Sequence, residues 1–400
     1  MNVQFKIYKR TLFLIVCIVL WYLSLLDIIP YAGLIDDFIP AIFGMIWIKS
    51  LLGKKQFSDE HIVFYILIII LIIGLFSNVY AGLVLNIKMI VIDLFSYTKI
   101  FFVYLGTSVL LENHKNAQRQ LVKYIGKFAK IYLIISFIFG ILNLFGIVNM
   151  TQQVRFGINS FSFIYSNPSQ YGILVAVALG FILIDGGKQH IRLYEFIGMS
   201  VLLMTMKGMS LIIFTVYVVM SFLRTRKIRI WQIVLVTAVL LLVLRYQIYT
   251  YLLDSSAPRA MLLKYGFVTA NSYFPFGSGF GTYGSDIAGK YYSSLYIKYG
   301  FTNRLSLLYG KETALNDAYL AMLLGQFGYI ATILHYAIFV VIGKRILNTK
   351  RYNYKAFYIT VAFFICIQGL SIMAGSLKGT IGQLMMMAIQ LYCINNKGDK

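Results

Sequence analysis

The residues of this chain that could do chemistry are few, and most lie late. Between Ile248 and Leu315 runs the one long stretch that cannot sit in a membrane. It holds Asp254, Arg259, Asp286, Glu312, the run Pro275-Phe-Gly-Ser-Gly-Phe-Gly281 and the pair Tyr291-Tyr292, and it leads into Asn316-Asp317. A carboxylate in such a stretch could take the proton of an attacking hydroxyl. With no histidine there, the candidates are Asp254, Asp286, Glu312 and Asp317. Asp317 is preferred, because the end of a hydrophobic span is a rigid place for it. Asn316-Asp317 also has the composition of a helix cap, and the two roles are compatible. Three cations stand beside small or turn-forming residues: Arg155 before Gly157, Lys207 before Gly208, and Arg259 after Pro258. Converging, they would suit a pyrophosphate, with arginine binding as a planar fork and lysine as a point charge. The run through Gly279 could cradle phosphate on backbone N–H groups or be a tight turn after Pro275. No βαβ unit surrounds it, which excludes a nucleotide fold. The tyrosines, Tyr291 and Tyr292 among them, could stack on sugar rings or form an interfacial aromatic belt.

The elements that must position these residues are hydrophobic. Of 400 residues, 60% are apolar and 12% charged, against about 25% charged in soluble domains. Mean hydropathy is +0.77. The chain reads as an all-α polytopic membrane protein. A span takes roughly 20 apolar residues. Twelve fit, at about 11–29, 34–51, 61–80, 94–112, 131–148, 167–185, 193–206, 209–223, 230–247, 316–343, 356–374 and 379–394; the seventh and eighth are short. Residues 1–247 form a bundle of nine spans, 248–315 a loop subdomain, and 316–400 the last three spans and a tail. Thr11–Ile29 is long enough to span and lacks the small-residue pattern of a cleavage site, so no removable signal sequence is expected.

The formal charge of +22 does not indicate nucleic acid, because of where the charges sit. Segments 1–10, 49–60, 113–130, 186–192, 224–229, 344–355 and 395–400 carry 3, 3, 5, 2, 4, 5 and 2 Lys or Arg, 24 of the 36. These are alternate loops, hence one side, and that side is the cytoplasm. Both termini would be cytoplasmic and 149–166 and 248–315 extracytoplasmic. Segment 113–130 reads as a basic amphipathic helix on the inner leaflet. Lys88, Lys99, Arg155, Lys207, Arg245, Arg259 and Lys378 break the rule, and ionisable residues in or near the membrane are functional by default. Cys17, Cys366 and Cys393 all fall in apolar spans, and His61, His114, His190 and His335 are dispersed, so neither a disulfide nor a metal site is expected.

Four segments together resemble the Wzy-type O-antigen and capsular polysaccharide repeat-unit polymerases of the O-antigen polymerase/ligase superfamily. They are Arg155-Phe-Gly157 with Asn167-Pro168; Thr205-Met-Lys207-Gly208; Arg259 followed by Pro275 to Gly281; and Leu315-Asn316-Asp317-Ala-Tyr319 leading to Gly325-Gln-Phe-Gly328. They cover residues 150–330. The resemblance implies a GT-C-like glycosyltransferase of the bacterial cytoplasmic membrane. Such enzymes act at the outer leaflet on undecaprenyl-pyrophosphate-linked glycans, and a chain-length regulator and a flippase are partners. It implies no cofactor and no metal, with Arg155, Lys207 and Arg259 holding the pyrophosphate. Two departures stand out. Lys207 replaces the usual Arg, and the loop lacks the histidine of the ligase branch, which favours polymerase over ligase. A lipid-linked oligosaccharide flippase is the reading from another class. Transporters are commonly two similar halves, whereas here one large loop has no counterpart.

Overall fold

The computed structural model describes residues 7–26, 32–53, 58–83, 86–155, 158–186, 191–223, 229–249, 254, 257–303, 307, 314–349, 353–373 and 375–395. The described helices are α1 (Lys9–Ser24), α2 (Ala32–Leu51), α3 (Asp59–Ala81), α4 (Ile87–Leu111), α5 (Lys115–Leu144), α6 (Pro168–Asp185), α7 (Ile191–Met204), α8 (Gly208–Leu223), α9 (Ile230–Ile248), α10 (Pro258–Ser272), α11 (Asp286–Lys290), α12 (Ser294–Lys298), α13 (Tyr319–Asn348), α14 (Tyr354–Met373) and α15 (Thr380–Asn395). One antiparallel hairpin, β1 (Thr151–Arg155) with β2 (Ile158–Phe161), lies between α5 and α6. The protein is therefore a helical, membrane-embedded bundle with a minor strand component.

Each of the twelve hydrophobic segments coincides with a helix. Six of these, α3, α4, α5, α6, α13 and α14, are long and apolar enough to cross a membrane. The 16-residue α1, α8 and α15 rise only about 24 Å, short of a hydrocarbon core of about 30 Å. Central position explains how α15 can be short: every residue from Thr380 to Ile394 is buried. With α4 and α6 it forms the middle of the bundle. Small residues let the backbones approach there. A Cβ on Gly106 of α4 would stand 2.6 Å from the Phe43 carbonyl oxygen of α2. Segment 113–130 differs from expectation. It does not form a separate surface helix but runs unbroken into the fifth span as α5, one side buried along its whole length.

The loop after α9 packs into the bundle. Its helix α10 starts at Pro258; the preceding Ser255 and Ser256 lie outside the described residues. The loop encloses a small core of its own around Leu262, Tyr283, Leu295, Tyr296 and Phe301. The run Gly277–Gly281 then turns inward and is buried between α3, α4 and α13. This insertion interrupts α13. Gly328 has φ 70° and ψ −168°, so the helix is two segments joined at a kink. Ahead of the break, the Gly325 and Gln326 carbonyls accept from the Ser278 and Gly279 N–H groups, each at 2.8 Å. A broken helix is tolerated at membrane depth only where its freed backbone groups find partners, and the loop supplies them.

That packing makes Gly328 irreplaceable on two grounds. Its φ is positive, and a Cβ would lie 2.2 Å from the Phe276 carbonyl oxygen. Gly328→Ala is expected to cost more than the roughly 1–3 kcal/mol of the strained backbone alone, since backbone cannot yield as a side chain can. Thermal melting of the purified variant checks this. An unchanged melting temperature would mean that the run is not seated against the kink.

Candidate functional site

The expected phosphate cradle is not available as one. Gly277 N–H donates to Ser77 Oγ (3.3 Å), Ser278 and Gly279 to α13 carbonyls, Phe280 to Asn78 Oδ1 (2.8 Å) and Gly281 to Asp93 Oδ2 (2.7 Å). Five successive donors are consumed by protein. Gly279, expected as a substrate-binding residue, is buried, and a Cβ on it would meet the Asn78 backbone nitrogen at 2.6 Å. Its role is to let the chain pass α3. The buried Asp93 also accepts from Gln326 Nε2 (2.7 Å), tying α4, the loop and α13 together.

The tyrosines divide in the same way. Tyr283 and Tyr296 are fully buried in the loop core. Tyr292 packs against Tyr296 with ring centroids 5.5 Å apart and donates its hydroxyl to the Leu307 carbonyl. It is partly buried and supports the loop core. Tyr291 is exposed and remains open to one.

Two of the expected residues do meet. Arg259, in the first turn of α10, places Nη2 3.2 Å from Asp317 Oδ2, just ahead of α13. The side chains are 26% and 42% exposed, so the pair is reachable from outside. The cap that Asp317 could have formed is not made: the N-cap of α13 is Ala318, without a side-chain bond. A cation in the first turn of a helix opposes the helix dipole, and here a carboxylate answers it.

Beside this pair stands a second one that the sequence reading did not assemble. Asn316 donates its amide to Asp286, at the start of α11, and Asp286 Oδ2 lies 3.4 Å from Lys378 Nζ in the turn between α14 and α15. The Lys378 side chain is 4% exposed and that of Asp286 58%. The loop and this turn are in tight contact, since a Cβ on Gly375 would fall 2.0 Å from the Asn316 carbonyl oxygen. Burial of its inner edge pushes the Asp286 carboxyl up. The Lys378 charge, the Asn316 amide and the more distant Lys99 outweigh it and hold the carboxyl below its ordinary range.

Lys99 completes the array. Buried midway along α4, it pairs with Asp36 Oδ2 (2.8 Å) and with Asp37 at the start of α2. Asp36 accepts further bonds from Thr380 Oγ1 (3.0 Å) and Gln383 Nε2 (2.8 Å) of α15. The array is thus three cations from three distant parts of the chain, each held to a carboxylate, with Asp317, Asp286 and Asp37 keeping an open edge. Its sequence signal was visible, since Asp36, Asp37 and Lys99 are charges inside apolar segments; their pairing was not.

The other two expected cations are placed as follows. Lys207 is half-buried in the turn between α7 and α8, beneath the hairpin, where Ser160 Oγ donates to the Thr205 carbonyl at 2.6 Å. Arg155 closes β1, and its side chain lies outside the described residues, as do Gly157 and Glu312. Among the described residues no group of three His, Cys, Asp or Glu side chains is placed to hold a metal ion. No family model matches the chain, and no curated protein matches it.

Proposed function

We propose that this protein is a metal-independent glycosyltransferase of the bacterial cytoplasmic membrane that polymerises undecaprenyl-pyrophosphate-linked oligosaccharide units into a surface polysaccharide. The observation that carries the reading is the reachable Arg259–Asp317 pair at the rim of the inserted loop, backed by Lys378. In the reaction, the acceptor sugar hydroxyl forms a bond to the anomeric carbon of the donor. The bond from that carbon to the phosphate oxygen breaks, its electron pair leaves with the pyrophosphate, and Asp317 takes the hydroxyl proton. While no substrate is bound, the ion pair holds both side chains in place. When the pyrophosphate arrives, Arg259 turns its guanidinium to the phosphate oxygens and frees the carboxylate. Stabilisation of charge that develops on the leaving group is the larger part of such catalysis. A buried Lys378 nearby adds positive potential in a low-dielectric setting.

The proposal includes a GT-C-like arrangement of twelve spans with both ends in the cytoplasm. The helices at all twelve segments and the alternation of basic residues support it. Orientation is tested with single cysteines, because the native Cys17, Cys366 and Cys393 are buried and give little background. Cysteines at the exposed positions Ser294 and Asn348 should respond oppositely to an impermeant thiol reagent in intact cells. Ser294→Cys should label and Asn348→Cys should not; the reverse pattern would invert the arrangement.

Function is tested by deleting the gene and resolving the surface glycan on a gel. Loss of a polymerase leaves a single repeat unit attached. A cell with no glycan at all would point to a flippase, and an unaltered ladder would exclude both.

A further inference from the structure

At the end of the bundle away from the loop, the start of α1, the end of α4 and the start of α5 surround a cavity of about 700 Å³. Lys9, Arg10, His114 and Lys115 line it against one carboxylate, Glu112. The walls are built rather than accidental. Thr11 Oγ1 donates to the Ala117 carbonyl (3.1 Å), Tyr8 N–H to Gln120 Oε1 (2.9 Å) and Arg10 to the Leu110 carbonyl (3.2 Å), so α1 is pinned to both neighbours. Desolvation and the Arg10 charge push the exposed His114 imidazole below its ordinary range. The fixed cations of the cavity are Lys9, Arg10 and Lys115. The positive charge continues along α5, where Lys115, Arg119, Lys123 and Lys127 recur every fourth residue and are exposed. Such a stripe raises the local concentration of anions.

An apolar track leaves the same cavity. Tyr8, Leu12, Val16, Val19 and Leu23 recur at three- and four-residue spacing along α1, and all are exposed. A soluble anion would use the cationic cavity and have no use for the track. An amphiphile uses both, with phosphate among the cations and an acyl chain along α1. We propose that this cavity binds the headgroup of an anionic phospholipid whose acyl chain lies on the exposed face of α1. The orientation proposed above places this lipid in the inner leaflet, but the site itself does not depend on which leaflet it faces.

The test uses the full chain purified in neutral detergent, with melting temperature read against added short-chain phosphatidylglycerol. Short-chain phosphatidylcholine, inorganic phosphate and pyrophosphate serve as comparison probes. Phosphatidylglycerol should raise the melting temperature saturably, and the other three should not. The double variant Lys9→Gln, Lys115→Gln should weaken the apparent affinity about tenfold or more, as expected for two cations close to a lipid phosphate. Lys290→Gln with Lys298→Gln, equal in charge change but on the loop, should leave it unchanged. Leu12→Ser with Val16→Ser should also weaken it, and this carries the test if the lysine variant does not accumulate. An equal shift from pyrophosphate would make this a soluble-anion site and overturn the lipid assignment. So would an equal shift from phosphatidylcholine, or undiminished affinity in the cavity variants. None of these readouts involves glycan transfer, so the outcome is separable from that of the proposed enzyme.

Discussion

Asp317→Asn is expected to remove the glycan ladder while the protein still accumulates in the membrane. The two effects differ because they draw on different properties of one side chain. Loss of a general base lowers the rate by about 10²–10⁴. The ion pair with Arg259 is 3.2 Å long and part-exposed, and pairs of that kind contribute about 0–1 kcal/mol. No helix cap is lost, since α13 is capped at Ala318. Melting should therefore shift little while activity collapses. Arg259→Ala should produce the same loss from the other partner, and Arg259→Lys should restore only part of it, because a lysine cannot present two parallel donors to a phosphate. A normal ladder in the Asp317→Asn variant would remove Asp317 from the chemistry. Loss of the ladder together with a collapsed melting temperature would assign it a structural role instead.

The largest effect on stability is expected at the opposite end of the bundle. Glu60, in the first turn of α3, forms an ion pair with Arg345, near the end of α13. Their side chains are 2% and 8% exposed. Tyr104 of α4 stands 3.4 Å from the Arg345 guanidinium, and Gln390 Nε2 of α15 donates to Glu60 at 3.2 Å. Four helices thus meet at one buried charge pair. Removing a single partner strands the other charge in a low-dielectric site, which costs about 3–5 kcal/mol. That is a large share of a typical total of about 5–15 kcal/mol. Glu60→Ala and Arg345→Ala should each lower the melting temperature sharply. The double variant Glu60→Leu, Arg345→Met should recover most of the loss, because apolar replacement of a whole buried pair is often neutral or stabilising. If either single variant melts like the parent, the pair does not anchor these helices.

The helices were legible because their signal is local. An apolar run in a membrane has to satisfy its backbone internally, and each of the twelve runs, the short ones included, coincides with a helix. Readings stayed open where a local pattern had two physical uses. Gly277–Gly281 has the composition of a phosphate cradle and equally that of a strand of backbone slipped between packed helices. Which one holds depends on whether other groups claim the N–H donors. Those groups are Ser77, Asn78, Asp93, Gly325 and Gln326, close in space and up to about 200 residues away in sequence. Tyr292 and Tyr296 were open to sugar or interface in the same way; in the structure Tyr296 is buried in the loop core and Tyr292, partly buried, packs against it.

The sequence by itself determined that this is a helical membrane protein. It also isolated a polar loop rich in tyrosine and glycine, marked Arg259, Lys99 and Lys378 as charges at positions where a charge is costly, and singled out Asp317 at the end of a span. These follow from composition and periodicity, which are properties of neighbours along the chain. Only the tertiary structure decided which charge answers which: Arg259 with Asp317, Lys378 with Asp286, Lys99 with Asp36 and Asp37, Glu60 with Arg345. The physical reason is that a buried charge is satisfied by whatever opposite charge is nearest in space. Here those partners are 58 to 285 residues apart, brought together by helices that cross at a depth no local pattern encodes.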